Sequence, residues 1–466
     1  YYGRKTVTFD LALENGTICA GDSVFPANLY VSGEEIAAIS ATRSSFPARE
    51  ILDCSGLFLL PGFIDPHVHL SLNLGRYTSV DDFDSGSALA ISGGVTTLID
   101  FLDPVSSLLD FEKAKKSRMQ TAADSRIDYA FHVTLAGSPG FSAEEIARAA
   151  IAEKMPSIKI FTTYSSSDRR TSDGMILNLL SLSSKLGFVL LAHAENDEMI
   201  TETVSGFVSP TFKDLSDLRP TISEMTEVVK LALMSMDKQG QLYIVHLSSG
   251  ETAKTLGSIN VNWKDSTRLE TCPQYLLLDN SPLLGEQGYL NTYCPPPRSA
   301  QERLLLVSSL REGEISSMGT DHCPFLRQDK LENRDDYLSM PNGSGSLGLS
   351  FSTANTLLEG DLTRVSSLLS TNAAKTFGLF PKRGLLAPGS IADIAVVDKD
   401  AEITVSRSPF TRSDHSLFDG MKLKGRVEAV VQRGRVAYKD GEVLLPRASG
   451  RFIERESIRW EDASCK

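Results

Sequence analysis

From Leu57 onward the chain alternates. Short apolar runs of strand character are separated by longer segments with helical patterning, and the strand-like run recurs eight times. The runs fall at residues 63–69, 95–101, 127–134, 157–161, 188–193, 242–246, 268–272 and 316–321. The clearest helical segments between them are 110–125, 175–186, 221–238 and 301–312. A further one starts at Ser142-Ala143-Glu144-Glu145, an N-cap with an acidic first turn, and runs to about Lys154. Parallel strands need crossovers of this length, so eight β-α repeats predict an α/β chain built on a (β/α)8 TIM-like barrel. The runner-up is an open doubly wound sheet, but no glycine-rich phosphate fingerprint follows the first strand.

A barrel of about 250 residues leaves material over at both ends of a 466-residue chain. At the N-terminal end, Leu11-Ala12-Leu13 and Thr17-Ile18-Cys19 flank Glu14-Asn15-Gly16, a hairpin signal. Residues 31–39 and 50–52 read as further strands. After Leu386, strand signals return at 391–397 and 427–431. They continue in Val436-Ala437-Tyr438 and Val443-Leu444-Leu445, on either side of a turn at 439–442. The simplest closure pairs residues 1–55 with 386–446 in a small β-sandwich beside a barrel of 56–385. The tail, 447–466, is polar and charged. It is expected either to be disordered or to clasp a neighbouring subunit.

A net charge of -12 argues against nucleic acid or an anionic membrane as partner. No run of about 18 apolar residues is present, so no membrane span is expected, and the N-terminus lacks a signal-type apolar core. The six cysteines include no CxxC pair and read as reduced thiols of a cytoplasmic protein.

In such barrels the chemistry sits at the C-terminal ends of the strands. Read there, the sequence gives His67 and His69, Lys159, His193, His246 and Asp321. His67 and His69 are two apart, so an extended strand points both to one side. Four of the chain's seven histidines thus converge with an aspartate on one mouth. Imidazole and carboxylate are the donors that divalent transition metals prefer, and a metal site is expected. Lys159 in such a place must be neutral, salt-bridged or chemically modified, because a free ammonium would be repelled and costly to desolvate. Carboxylation by CO2 would make it an anionic carbamate.

The chain resembles the cyclic amidohydrolases of the amidohydrolase superfamily, in the dihydropyrimidinase/hydantoinase branch. The likeness runs through Pro61 to His69, Thr78 to Gly86, Gly93 to Thr97, Lys159 to Tyr164, His193 to Asn196 and Val245 to Ser248. It continues through Glu270 to Tyr275, Asp321 to Phe325, Pro341-Asn342-Gly343 and Ser370-Thr371-Asn372. The resemblance implies two divalent ions, usually zinc. His67, His69 and Asp321 would hold one, His193 and His246 the other, with carboxylated Lys159 bridging them. It also implies a cytosolic homotetramer that hydrolyses a small cyclic ureide, a dihydropyrimidine or a hydantoin, to an N-carbamoyl amino acid. Asp321 would carry the proton, and the Tyr164 hydroxyl would stabilise the oxyanion. Backbone groups at Cys294 and Asn342 would hold the ring.

The sequence departs from the family pattern at Cys294, where serine is common. It departs again after Gly343, where Ser344-Gly345-Ser346-Leu347-Gly348 replaces a glycine-hydrophobic-acid triplet. The loop Leu72-Asn73-Leu74 and residues 165–171 are where selection of the ring substituent is expected. Allantoinase and dihydroorotase would use the same ligands on other rings, but those branches generally lack a tyrosine at the place of Tyr164. A dihydroorotase would also want a cation for the substrate carboxylate. A non-catalytic scaffold of the same fold is the alternative of another class, and retention of all six ligand residues speaks against it.

Overall fold

The computed structural model describes residues 8–41, 46–259 and 262–460. Five strands come first: β1 (Phe9–Ala20), β2 (Ser23–Ser32), β3 (Glu35–Ser40), β4 (Ala48–Asp53) and β5 (Phe58–Pro61). Eight follow as a ring: β6 (Phe63–Val68), β7 (Val95–Phe101), β8 (Asp128–Thr134), β9 (Ser157–Phe161), β10 (Val189–His193), β11 (Leu242–Ile244), β12 (Thr267–Thr271) and β13 (Ser317–Met318). Four close the chain: β14 (Ile394–Thr404), β15 (Lys422–Gln432), β16 (Arg435–Lys439) and β17 (Glu442–Val443).

Strands β6 to β13 pair in sequence order, parallel wherever registered. The ring closes just beyond β13, where the Asp321 amide donates to the His67 carbonyl (2.8 Å) and the His69 amide to the His322 carbonyl (3.0 Å). Strands β6, β7 and β8 are buried along their whole length, as strands covered by helices on one face and by the barrel interior on the other must be. Ile158 and Ile160 pack toward the helices, which leaves Lys159 facing the other way. Ser142 does cap its helix, with Glu145 returning the bond as a capping box.

Two of the strands expected from sequence are cut short. The 242–246 run stops at Ile244 and the 316–321 run at Met318. His246 (φ 40°) and Asp321 (φ 49°) adopt left-handed backbone, which cannot continue a ladder. Gly319 follows β13 with no room for a side chain. A Cβ there would lie 2.8 Å from both Glu270 Oε2 and His67 Cβ.

The terminal segments meet in one nine-stranded mixed sheet, ordered β17-β16-β15-β14-β5-β1-β2-β3, with β4 on β1. It encloses its own core, in which Leu13, Leu29 and Leu59 pack with Ile394, Val396 and Val431. Asn15-Gly16 is not a hairpin turn: β1 runs through it, and the register against β2 shifts between Leu13 and Gly16. Asn15 takes φ 62° as the extra residues bulge out, and the reversal comes at Gly21-Asp22 instead. Residues 31–39 are likewise not one strand but the end of β2, a turn at Gly33-Glu34, and β3.

Residues 447–460 are ordered along their own barrel. The Tyr129 amide donates to the Arg451 carbonyl (3.0 Å), the Ile453 amide to the Tyr129 carbonyl (2.7 Å) and the Ile458 amide to the Gly187 carbonyl (3.1 Å). Arg455 is fully buried, donating to the Phe131 carbonyl and to Ser157 Oγ. Trp460 joins the barrel-interior cluster of Ile64, Leu191, Tyr243 and Phe377. The remaining tail, 461–466 with Cys465, lies outside the described residues. Among the described residues, no helix is long and apolar enough to cross a membrane, and the five described cysteines are free.

Candidate metal centre and active site

The barrel mouth brings the six expected ligand residues into one cluster. His67 Nε2 and His69 Nε2 lie 3.2 and 3.1 Å from Asp321 Oδ1 and 3.2 Å from each other. Their ligand atoms all fall within 4.8 Å, a group that could hold a metal ion. His193 and His246 stand beside them, with ring centroids 4.6 Å apart, and His246 is 5.4 Å from His67. Lys159 is 2% exposed. Among the described residues no hydrogen bond or ion pair reaches its amine, whose neighbours are the rings of Phe101 (5.4 Å) and Phe161 (5.2 Å).

The electrostatics fit a site built for cations. Burial pushes the Lys159 amine down to about 7, so a neutral and nucleophilic form is accessible. Burial likewise lowers His193 to about 4 and holds His246 well below the usual imidazole range, which keeps both rings neutral. Nδ1 of His246 is buried with no partner. For His67 burial opposes charging, but Glu270 and Asp321 outweigh it and raise the ring to about 9. Burial also works against the Asp321 carboxylate, and the two imidazoles beside it still hold it well below its ordinary value. Four imidazoles, a carboxylate and an unpaired amine make a donor set suited to divalent metal.

Residues behind this shell orient it. Glu270 accepts from His67 Nδ1 (2.8 Å) and from the His246 amide (2.9 Å), and Tyr243 donates to it (2.8 Å). Glu195 lies 2.6 Å from His193 Nε2, and Arg219 donates to both its oxygens. Carboxylates in this position fix the tautomer and tilt of a ligating histidine. Glu195, Arg219 and Glu270 are not among the site residues expected from sequence. Glu195 and Glu270 do sit inside stretches shared with the family, which is the signal that could have drawn attention to them.

Tyr164 adopts φ 68° and ψ 40°, a strained conformation for a residue with a side chain. Its ring lies 5.3 Å from that of His193, and burial raises its hydroxyl well above the usual phenol range. With His246 and Asp321, that makes three candidate residues in left-handed backbone at one mouth. Cys294 is half-buried, with its thiol against the Tyr164 hydroxyl. Asn342 stands on the adjoining segment, its buried Oδ1 without a partner, and the next amide, Gly343, donates to Thr292 (2.9 Å).

Lys330 ties these two segments together. Fully buried, it donates to the Thr292 carbonyl (2.7 Å), Thr292 Oγ1 (2.9 Å) and the Gly343 carbonyl (2.9 Å). Lys330→Met would leave the Gly343 carbonyl buried without a donor, at about 1–3 kcal/mol, while the Thr292 carbonyl keeps the Gly343 amide and Thr292 Oγ1 keeps the Tyr289 carbonyl. We expect a loss of about 1–3 kcal/mol in urea unfolding, with metal content unchanged. An unfolding curve like the parent's would refute the staple.

Comparison with known proteins agrees with this geometry. Residues 58–437 match the model of the amidohydrolase family. The D-hydantoinase of Rhizobium radiobacter is 30% identical over 470 residues, covering 97% of this chain and 100% of the relative. That of Geobacillus stearothermophilus is 29% identical over 461 residues, covering 95% and 96%. Among solved structures, the dihydropyrimidinase from Brevibacillus agri superposes with a TM-score of 0.87 at 28% identity, covering 96% of this chain and 99% of that one. The L-hydantoinase (dihydropyrimidinase) from Arthrobacter aurescens gives 0.85 at 26%, covering 96% and 100%. A shared barrel, a likeness spanning nearly both chains and a histidine-aspartate group at the mouth place this chain in the amidohydrolase family, in its hydantoinase branch.

Proposed function

We propose that this enzyme hydrolyses the cyclic amide bond of a hydantoin or a 5,6-dihydropyrimidine, releasing an N-carbamoyl amino acid. The observation that carries the reading is the mouth itself. A cluster of imidazoles, Asp321 and an unpaired buried lysine lies beside a tyrosine hydroxyl held in strained backbone. Relatives named for hydantoin and dihydropyrimidine rings cover nearly the whole chain.

In this reading His67, His69 and Asp321 would hold one divalent ion and His193 and His246 a second, with a carboxylated Lys159 as a further anionic ligand. Zinc suits the donor set. Bound there, the ions would polarise the scissile carbonyl and lower the pKa of water. The chain's own residues do the rest. The Asp321 side chain, 14% exposed toward the mouth, takes a proton from the attacking water and returns it to the ring nitrogen as the C–N bond breaks. The Tyr164 hydroxyl donates to the carbonyl oxygen as it becomes an oxyanion. Backbone groups at Cys294 and Asn342 hold the ureide edge of the ring. With only backbone engaged, cysteine in place of serine is tolerable. A cytoplasmic homotetramer is part of the same proposal, and sedimentation of the purified protein tests the assembly.

A panel of dihydrouracil, dihydrothymine, hydantoin, 5-substituted hydantoins, allantoin and dihydroorotate tests the ring. We expect the highest kcat/KM on a hydantoin or dihydropyrimidine. Allantoin or dihydroorotate as best substrate would overturn that choice of ring.

A further inference from the structure

We propose that Arg219 is a positioning residue for the reaction, one that aims the proton of the Tyr164 hydroxyl at the substrate carbonyl. The inference rests on the ring-opening reading above and adds to it a residue that carries no ligand role. Arg219 is 4% exposed and Glu195 beside it is fully buried. Its Nε donates to Glu195 Oε1 (3.1 Å). Its Nη2 donates both to Glu195 Oε2 and to the Tyr164 oxygen (3.1 Å). The guanidinium also lies over the Tyr164 ring, 4.9 Å from its centroid.

A guanidinium has only donors. In this contact the phenol oxygen must therefore accept, and its single proton is left for another acceptor, the Cys294 sulfur or the substrate carbonyl. A phenol O–H prefers the plane of its ring, with two orientations. A donor fixed on one side of the oxygen disfavours the proton there and directs it to the other. Tyr164 then presents a preorganised donor and does not have to rotate into place when charge develops.

Arg219 is itself held. Its carbonyl accepts from Arg298 Nη1 (2.5 Å), and Arg298 Nε donates to Ser248 Oγ (2.8 Å). The planar fork that spans Glu195 and Tyr164 at once is a property of arginine. Lysine offers a point charge on a flexible stem.

The alternative is that Arg219 serves only as counter-ion to Glu195, and so to His193. A double-mutant cycle on the metal-loaded enzyme separates the two. Parent, Y164F, R219Q and the double variant are compared for kcat, KM and metal content on the best cyclic ureide. We expect R219Q to lower kcat by about tenfold to hundredfold, part of the roughly 10²–10³ that a lost oxyanion donor costs. KM and metal content should stay near the parent's. In the Y164F background the same substitution should cost about twofold or less, since the hydroxyl it would orient is gone. Arg219→Lys is the second variant. It keeps a cation for Glu195 should the glutamine protein fail to fold, and the same pattern is expected of it. Equal losses in both backgrounds, or a fall in kcat that tracks lost metal, overturn the inference and leave the ring-opening reading standing. A parent protein that opens none of the rings on the panel overturns both.

Discussion

Lys159→Ala is expected to give a folded protein with no measurable turnover and fewer than two metal ions per chain. The argument starts from what Lys159 lacks. A lysine 2% exposed, with no hydrogen bond or ion pair among the described residues and only the rings of Phe101 and Phe161 beside its amine, adds little to holding the barrel together. Its amine is costly to charge there, which is why burial brings it down to about 7. The proposed function gives such a group a role through carboxylation. A neutral amine can take up CO2 with loss of a proton, and the resulting carbamate would be an anion beside the two histidine sets. Removing the side chain removes that ligand but not any packing contact the fold depends on. Small carboxylates added in solution should then restore part of both metal content and turnover. Lys159→Met should match or exceed the parent in thermal stability when both are metal-free, since an apolar side chain replaces a buried polar one. Full metal occupancy and turnover in Lys159→Ala would refute that role.

Tyr164→Phe should lower kcat on the best substrate by about 10²–10³, or about 2.7–4 kcal/mol, the range typical of a lost oxyanion donor. The substitution removes one oxygen and keeps the ring, so the contacts with Phe161 and His193, at 5.9 and 5.3 Å between centroids, should survive. Metal content and melting temperature should be the parent's. A donor used only in the transition state lowers kcat and kcat/KM together and leaves KM alone. A change confined to KM would mean that the hydroxyl binds the ring and does not stabilise the oxyanion. Full activity in Tyr164→Phe would make the tyrosine a packing residue.

The barrel was legible because burial on both faces writes apolar runs into the sequence, and six of its eight strands match such runs with little shift in bounds. His67, His69 and His193 could be read from the same pattern. The ends of the other two strands could not be read so closely. His246 and Asp321 reach the mouth by leaving the ladder through left-handed backbone, and nothing in Ile244 or Met318 announces that break. Asn15-Gly16 misled for a related reason: a residue pair that permits positive φ fits a bulge as well as a turn. The supporting carboxylates were illegible as partners. Glu270 meets His67 from 203 residues away, and Arg219 meets Tyr164 from 55. Such pairings are made by the fold, and local pattern carries no trace of them. The same holds for residues 447–460, whose polarity suggests an exposed tail. Arg455 is buried because backbone and hydroxyl oxygens of β8 and β9 accept from it.

Anomalous diffraction from crystals of the metal-loaded protein tests the central claim most directly. Two peaks are expected, about 3.5–4 Å apart as in other two-metal hydrolytic sites. One should lie among His67, His69 and Asp321 and the other between His193 and His246, with extra density on Lys159 Nζ reaching both. A single peak in the active, fully metallated enzyme, or a Lys159 amine with no added atoms, would contradict the account.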